Sequence, residues 1–296
     1  MSKGTLSAAA AYLIWGFFPI YFKALDVVPA FQIMTHRIVW SFLFLLILIS
    51  VLRRGKTLRA SLTPKIILIY LGAGLLLAIN WVVYAYGVTS GQIVEASLGY
   101  FINPLVSVLM GVIILHERLR LPQWLAIILA AVGVAFLTIS FGKLPWIALV
   151  LALSFGTYGL VKKIAPLGSL DGITLETTLL FLPALLYLLV VTWNGNSAYT
   201  SNGFWIAVTL TISGVVTVIP LLLFAAGARA TPLVTIGLLQ FFTPTMQFLL
   251  GVFLYHEPFD STRAVGFVII WSALIIFILE SLVRNHKHSV QAASQP

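Results

Sequence analysis

Residues 101–117, FINPLVSVLMGVIILHE, recur 140 positions later as residues 241–257, FFTPTMQFLLGVFLYHE. Seven of the seventeen positions are identical, including Pro104/Pro244, Gly111/Gly251, His116/His256 and Glu117/Glu257. The same offset, with no gap, pairs Gly16 with Gly156, Lys23 with Lys163, Gly74 with Gly214 and Gly87 with Gly227. Self-similarity at one fixed spacing marks a duplicated unit, so the fold has to be one that two copies of a single design can build together.

What each copy contains follows from hydropathy. A helix crosses the hydrocarbon core with about 20 apolar residues. Ten such runs are present: 5–24, 33–52, 66–87, 92–115, 122–140, 145–163, 173–193, 204–226, 231–255 and 263–283. Turn-forming Pro, Gly and Asn fall between them, as at Val28-Pro29, Thr63-Pro64 and Asn194-Gly195-Asn196. The chain is 60% hydrophobic and 8% charged, where a soluble domain carries roughly 25% charged residues. An integral membrane protein is expected. The first run holds Trp15, Gly16 and Pro19 and lacks a small-residue cleavage site, so it reads as a first span and not as a signal peptide. The polar segment 285–296 is expected to be a disordered tail.

The net charge of +9 does not point to nucleic acid, because the basic residues sit in short gaps between apolar runs. Thirteen of the seventeen Lys and Arg fall in one set of alternating loops and three in the other. The positive-inside rule then places both termini in the cytoplasm. Each copy has five spans, an odd number, so the second enters the bilayer from the opposite side. The expected organisation is an inverted repeat, with copies at 1–141 and 142–284. Such a pair can exchange inward-open and outward-open states by rocking one half on the other.

Residues 95–126, EASLGYFINPLVSVLMGVIILHERLRLPQWLA, resemble the signature of the drug/metabolite transporter superfamily, whose members pair two EamA-type five-helix repeats. The closer similarity is to its RarD-like permeases, the chloramphenicol-sensitivity group. WGFFPIYFK (15–23), THRIVWS (35–41), NWVVYAYGV (80–88) and QFFTPTMQFLLGVFLYHEPF (240–259) extend it over essentially the whole chain. The resemblance implies an all-α membrane protein, ten transmembrane helices as two inverted EamA repeats, a central cavity between the halves, and export of metabolites or drug-like solutes. Where many relatives have a small residue before Glu117, this chain has His116, so no role is carried over to that histidine.

Polar residues inside apolar runs nominate the cavity. Asn80 and Tyr84 lie one turn apart, with Trp81 beside Asn80, and a mid-run Asn has to bond another helix or a ligand. Glu95 and Asn103 share a helical face through Gly99. A carboxylate within a membrane is a functional hypothesis by default, which makes Glu95 the candidate proton carrier. Arg37 opens the second run and has three readings: a contact to a substrate carboxylate, an ion pair with Glu95 or Glu176, or an interfacial snorkelling arginine. Gln240, Thr243 and Gln247 form one polar stripe. Trp15 and Tyr100 complete the expected substrate-binding set of Trp15, Arg37, Asn80, Trp81, Tyr84, Tyr100, Asn103, Gln240 and Gln247. Pro104 and Pro244 each remove a backbone donor in mid-run, freeing the carbonyls of Tyr100 and Gln240, and are expected to kink their helices. Glu176 is expected to pair with Lys162 or Lys163 at the interface, and Glu117 to be solvated or orientation-setting at a helix end.

Chemistry beyond binding finds no support. The sequence holds no cysteine, no HExxH pair, no GxSxG elbow and no phosphate-binding loop. No catalytic residue, metal or cofactor is expected. The expected partners are a small-molecule substrate, the lipid bilayer and protons as a coupling ion, and the expected place is the plasma (bacterial inner) membrane. A ten-span secondary exporter of small amphipathic solutes, amino-acid-like or aromatic, fits best. The alternatives are an intramembrane enzyme acting on a lipid-linked substrate, and a passive channel.

Overall fold

Backbone amides inside hydrocarbon have to bond within their own segment, and a helix does this for every residue. A computed structural model describes residues 2–89, 93–140, 146–254, 264–266, 268–273, 275–276 and 279–280, and among these no strand occurs. The elements are α1 (Lys3–Gly16), α2 (Phe18–Lys23), α3 (Ala30–Val51), α4 (Gly55–Ala60), α5 (Pro64–Thr89), α6 (Ile93–Ile113) and α7 (Leu121–Ser140). They continue as α8 (Trp146–Ile164), α9 (Ser169–Trp193), α10 (Ala198–Ser201), α11 (Phe204–Ala230), α12 (Leu233–Leu239) and α13 (Phe242–Leu249). A single π-helical turn, Leu250–Leu254, follows, and the described residues from 264 to 280 are helical. The tail at 285–296 and the repeated His256-Glu257 lie outside the described residues.

Among the described residues seven stretches are long and apolar enough to cross a membrane: Lys3–Lys23, Ala30–Val51, Pro64–Tyr84, Leu121–Ile139, Trp146–Ile164, Ser169–Trp193 and Phe204–Ala230. The surface has the polarity of a membrane protein. Trp193 (91% exposed), Trp205, Phe204, Ile139 and Leu121 face outward, while Gln32, Arg37, Asn80, Asn103, Lys162 and Glu176 are buried. Such an exposed apolar surface needs lipid against it, so the chain is an integral membrane protein.

Two of the expected spans are interrupted. The first breaks at Phe17 between α1 and α2, just ahead of Pro19. The run 231–255 breaks at Gln240 and Phe241, between α12 and α13. Pro244 therefore sits in the first turn of α13, beyond the break, where a missing amide costs little. The carbonyl of Gln240, expected to be free, accepts from the Thr243 amide at 3.2 Å. Pro104 does lie inside a helix, α6.

The principal helix contacts run between residues 1–141 and 142–284, not within either. α6 packs on α8 and α12, α1 on α11 and α13, α3 on α11 and α9, and α5 on α8 and α9. The α3–α11 crossing depends on Gly214, because a Cβ there would run into the Trp40 backbone. Loops segregate to two ends. At one, Arg54 grips Asp171 (3.1 and 2.6 Å), Arg120 meets Glu280 (2.8 Å), Lys163 donates to the Thr231 carbonyl (2.7 Å), and Arg229 donates to the carbonyls of Ala165 and Leu167. At the other, Gln32 bonds the Asn196 carbonyl and the Ala198 amide, and the Asn202 amide reaches the Val27 carbonyl.

Candidate functional site

Between α1, α8 and α11 the chain builds an aromatic wall. Trp15 lies 5.6 Å from both Phe155 and Phe224, and Tyr158 stacks on Phe224 at 6.0 Å. Offset and edge-on pairs of this kind add about 0.5–1.5 kcal/mol each beyond area burial. The wall bounds a cavity of about 820 Å³, its open mouth included, lined from α1, α2, α3, α5, α6, α8, α11 and α13 and by Gln240 at the break between α12 and α13.

All of the sequence-nominated binding residues (Trp15, Arg37, Asn80, Trp81, Tyr84, Tyr100, Asn103, Gln240 and Gln247) line this one cavity. Arg37 is its charged group. The side chain is buried at 8% exposure; Nε donates to the Thr217 hydroxyl of α11 at 2.9 Å. Its guanidinium lies over the rings of Trp81 (4.6 Å), Phe18 (5.5 Å) and Phe22 (5.6 Å). Rings attract a cation through their quadrupoles, but none of these partners carries opposite charge. The snorkelling reading does not survive this burial. Nor does the pairing with Glu176, whose carboxylate is bonded elsewhere. Glu95, the other proposed partner and the proton-carrier candidate, lies outside the residues whose side chains are described.

The amides divide by function. Asn80 Nδ2 is committed to the Leu151 carbonyl (2.9 Å) and the Ser154 hydroxyl (3.0 Å), tying α5 to α8. Gln247 Nε2 reaches the Trp15 carbonyl at 3.3 Å and Thr243 donates to the Tyr12 carbonyl at 2.8 Å, so both fasten α13 to α1. Gln240 Nε2 donates to Ser107 at 3.0 Å. Among the described residues, Asn103 Oδ1, Gln240 Oε1 and the Tyr12 hydroxyl are buried with no hydrogen-bond partner. A buried amide oxygen without a donor costs about 1–3 kcal/mol, and here two of them belong to residues that line the same cavity. The lining brings together one cation, amide side chains and flat aromatic faces.

Several lining residues had no signal of their own in the sequence. Phe18, Phe22, Phe155 and Leu221 are apolar residues in apolar runs, and only the aromatic density of WGFFPIYFK hinted at the ring cage around Arg37. Glu176 differs in depth from the expectation. It pairs with Lys162 at 2.8 Å, but both side chains are 3% exposed, and the Tyr158 hydroxyl donates to its other oxygen at 3.1 Å. Glu117 is not solvated either: its two oxygens accept from the amides of Leu233 and Val234, which begin α12. Among the described residues no group of three or more His, Cys, Asp or Glu is placed to hold a metal ion.

A helical membrane protein whose outer face is apolar and whose interior holds a cavity lined by aromatic rings, amides and one arginine has the construction of a transporter. Comparison with known proteins identifies which kind. Residues 2–139 match the EamA-like transporter family. The chain is 45% identical over 279 residues to "Uncharacterized transporter YojE" of Bacillus subtilis, covering 93% of each protein. It is 41% identical over 288 residues to "Protein RarD" of Escherichia coli K12, covering 97% of each. "Chloramphenicol-sensitive protein RarD" of Pseudomonas aeruginosa is 27% identical over 285 residues, covering 93% of each. A solved crystal structure with 16% identity shares the fold at a TM-score of 0.71, over 93% of this chain and 97% of the other. The chain belongs to the EamA-like transporter family, in its RarD-like group, and is a membrane transporter.

Proposed function

We propose that the chain is a secondary carrier that exports small amphipathic solutes, amino-acid-like or aromatic, by alternating access between two inverted five-span repeats. The observation that carries the reading is the cavity, whose lining combines Arg37, the amides Asn103 and Gln240, and aromatic faces. An anionic group suits Arg37, a donor such as an ammonium suits the amide oxygens, and a flat apolar body suits the rings. The helix contacts support the inverted repeat. Shifted by 140 residues, α1–α11 becomes α8–α5, α3–α11 becomes α9–α5, and α6–α8 becomes α12/α13–α1, and each of these pairs is in contact.

The loop clusters support the orientation. The loops counted as cytoplasmic gather at the end that holds Arg54, Arg120, Lys163 and Arg229, and the others gather opposite. Phe22, Arg37, Tyr84 and Tyr100 lie in the parts of their helices away from that basic end, which corresponds to an outward-facing state. The basic end is the closed one.

Purified protein in liposomes tests the reading with radiolabelled phenylalanine, tryptophan and chloramphenicol. Saturable flux with counterflow of an unmodified solute is expected. Flux without saturation indicates a channel, and a chemically altered product indicates an enzyme. Proton coupling through Glu95 is part of the proposal. A Glu95→Gln protein is expected to lose substrate-driven pH change while retaining counterflow, and full coupling in that variant removes Glu95 from the role.

A further inference from the structure

The repeated Gly111…His116-Glu117 segment is one device in the structure. α6 ends at Ile113, and His116 adopts a left-handed backbone (φ 52°) that turns the chain back on its own helix. The turn is closed by a bond from the Glu117 amide to the Gly111 carbonyl at 3.0 Å. The Glu117 side chain then points across to the second copy. Oε1 accepts from the Leu233 amide at 2.7 Å and Oε2 from the Val234 amide at 2.8 Å. These amides begin a helix and have no partner within it. Lys163 Nζ braces the contact, 3.8 Å from Glu117 Oε1 and bonded to the Thr231 carbonyl. Gly111 makes the room, since a Cβ there would lie 2.9 Å from Glu117 Oε2 and 3.1 Å from the Val234 amide.

The helix held in this way leads to the cavity. α12 has seven residues, about 10 Å of rise, and runs from the Glu117 contact straight to Gln240 at the break. It lies close on α6, where a Cβ on Gly237 would come within 2.7 Å of the Pro104 carbonyl. Glu117 thus joins the first copy to a short helix of the second copy at the basic end. The far end of that helix carries the cavity residue Gln240.

We propose that Glu117 is the latch of the cytoplasmic gate. Its carboxylate holds α12, and through α12 the cavity residue Gln240, in the arrangement that closes the basic end, and its release accompanies opening of that end. The proposal rests on the carrier reading for its purpose but not for its test. Glu117 acts through α12 and is a positioning residue.

The chain has no cysteine, so a single Ile236→Cys introduces the only thiol. Ile236 sits midway along α12 and is fully buried. Its modification by a membrane-impermeant maleimide is followed in inside-out and right-side-out vesicles. Slow labelling is expected with Glu117 in place. Labelling from the cytoplasmic face is expected to rise about tenfold or more in Glu117→Ala, the shift that losing one charge-assisted bond corresponds to. Gly111→Ala keeps the carboxylate but crowds it and is expected to act in the same direction, with Glu117→Gln intermediate. Unchanged labelling in Gly111→Ala and Glu117→Gln proteins that elute as the parent does overturns the latch, even where Glu117→Ala does not fold. Raised labelling without counterflow of any tested solute supports the latch and removes the carrier reading.

Discussion

Arg37→Gln reduces the kcat/KM of transport by about 100-fold or more, while the protein remains folded. Truncating one partner of a buried charge pair costs about 2–5 kcal/mol, and each 1.4 kcal/mol is about tenfold. The loss falls on transport and not on stability for a reason visible in the site. Burying a guanidinium is unfavourable, and the rings of Phe18, Phe22 and Trp81 return only about 0.5–2 kcal/mol each. Removing the charge lifts the desolvation cost along with those contacts, so the two changes largely offset. Arg37→Lys recovers part of the flux, because an ammonium keeps the charge and loses the planar fork. Thr217→Val leaves the charge and removes only the 2.9 Å bond that orients it, so its effect is smaller. Reconstituted uptake measured beside thermal unfolding separates the cases. A fall in flux that tracks a fall in stability across these variants shows that Arg37 only holds α3 to α11.

Arg37 also shows why some of the site was legible beforehand. A polar side chain in a long apolar run has two places to go, the interface or the interior, and both the surrounding hydrocarbon and the chain length restrict the first. Asn80, Asn103, Gln240 and Gln247 stood out for that reason, and all turn inward to one cavity. Phe18, Phe22 and Phe155 have no such restriction, because a phenylalanine in an apolar run is equally at home against lipid, a neighbouring helix or a solute. Their place depends on packing between the two halves, which no local pattern encodes. The same limit explains Glu117. A carboxylate at a helix end looks solvated until residues 116 and 117 positions away each supply an amide. The break at Gln240 and Phe241 falls within the four residues ahead of Pro244, the stretch whose helical bonding a proline disturbs. Seven of the ten runs were legible as spans among the described residues, because crossing hydrocarbon demands length and apolarity and little else.

Glu176→Leu destabilises the protein by about 3–5 kcal/mol, the cost of leaving a buried charge without its counterion. Lys162 is the group left behind: its Nζ bonds Glu176 at 2.8 Å and both side chains are 3% exposed. The rings of Tyr70 and Tyr158, 5.5 and 5.7 Å from Nζ, cannot replace a carboxylate. Lys162→Met is expected to cost a similar amount, for it strands Glu176 with only the Tyr158 hydroxyl. The double variant, Lys162→Met with Glu176→Leu, recovers most of the loss, because two apolar side chains of similar volume remove both desolvation costs at once. Arg54 and Asp171 provide the contrast. They make two bonds, but Arg54 is 46% exposed. Water on the Arg54 side weakens the pair, although Asp171 is 8% exposed, so Arg54→Gln is expected to cost less than Glu176→Leu. Reversible unfolding in mixed detergent micelles measures all four proteins. Equal effects at Arg54 and Glu176 contradict the difference in burial, and a double variant as unstable as the singles shows that α8 and α9 need the ion pair to find their register. If the double variant is stable but transports slowly, the pair serves the motion between states and not the fold.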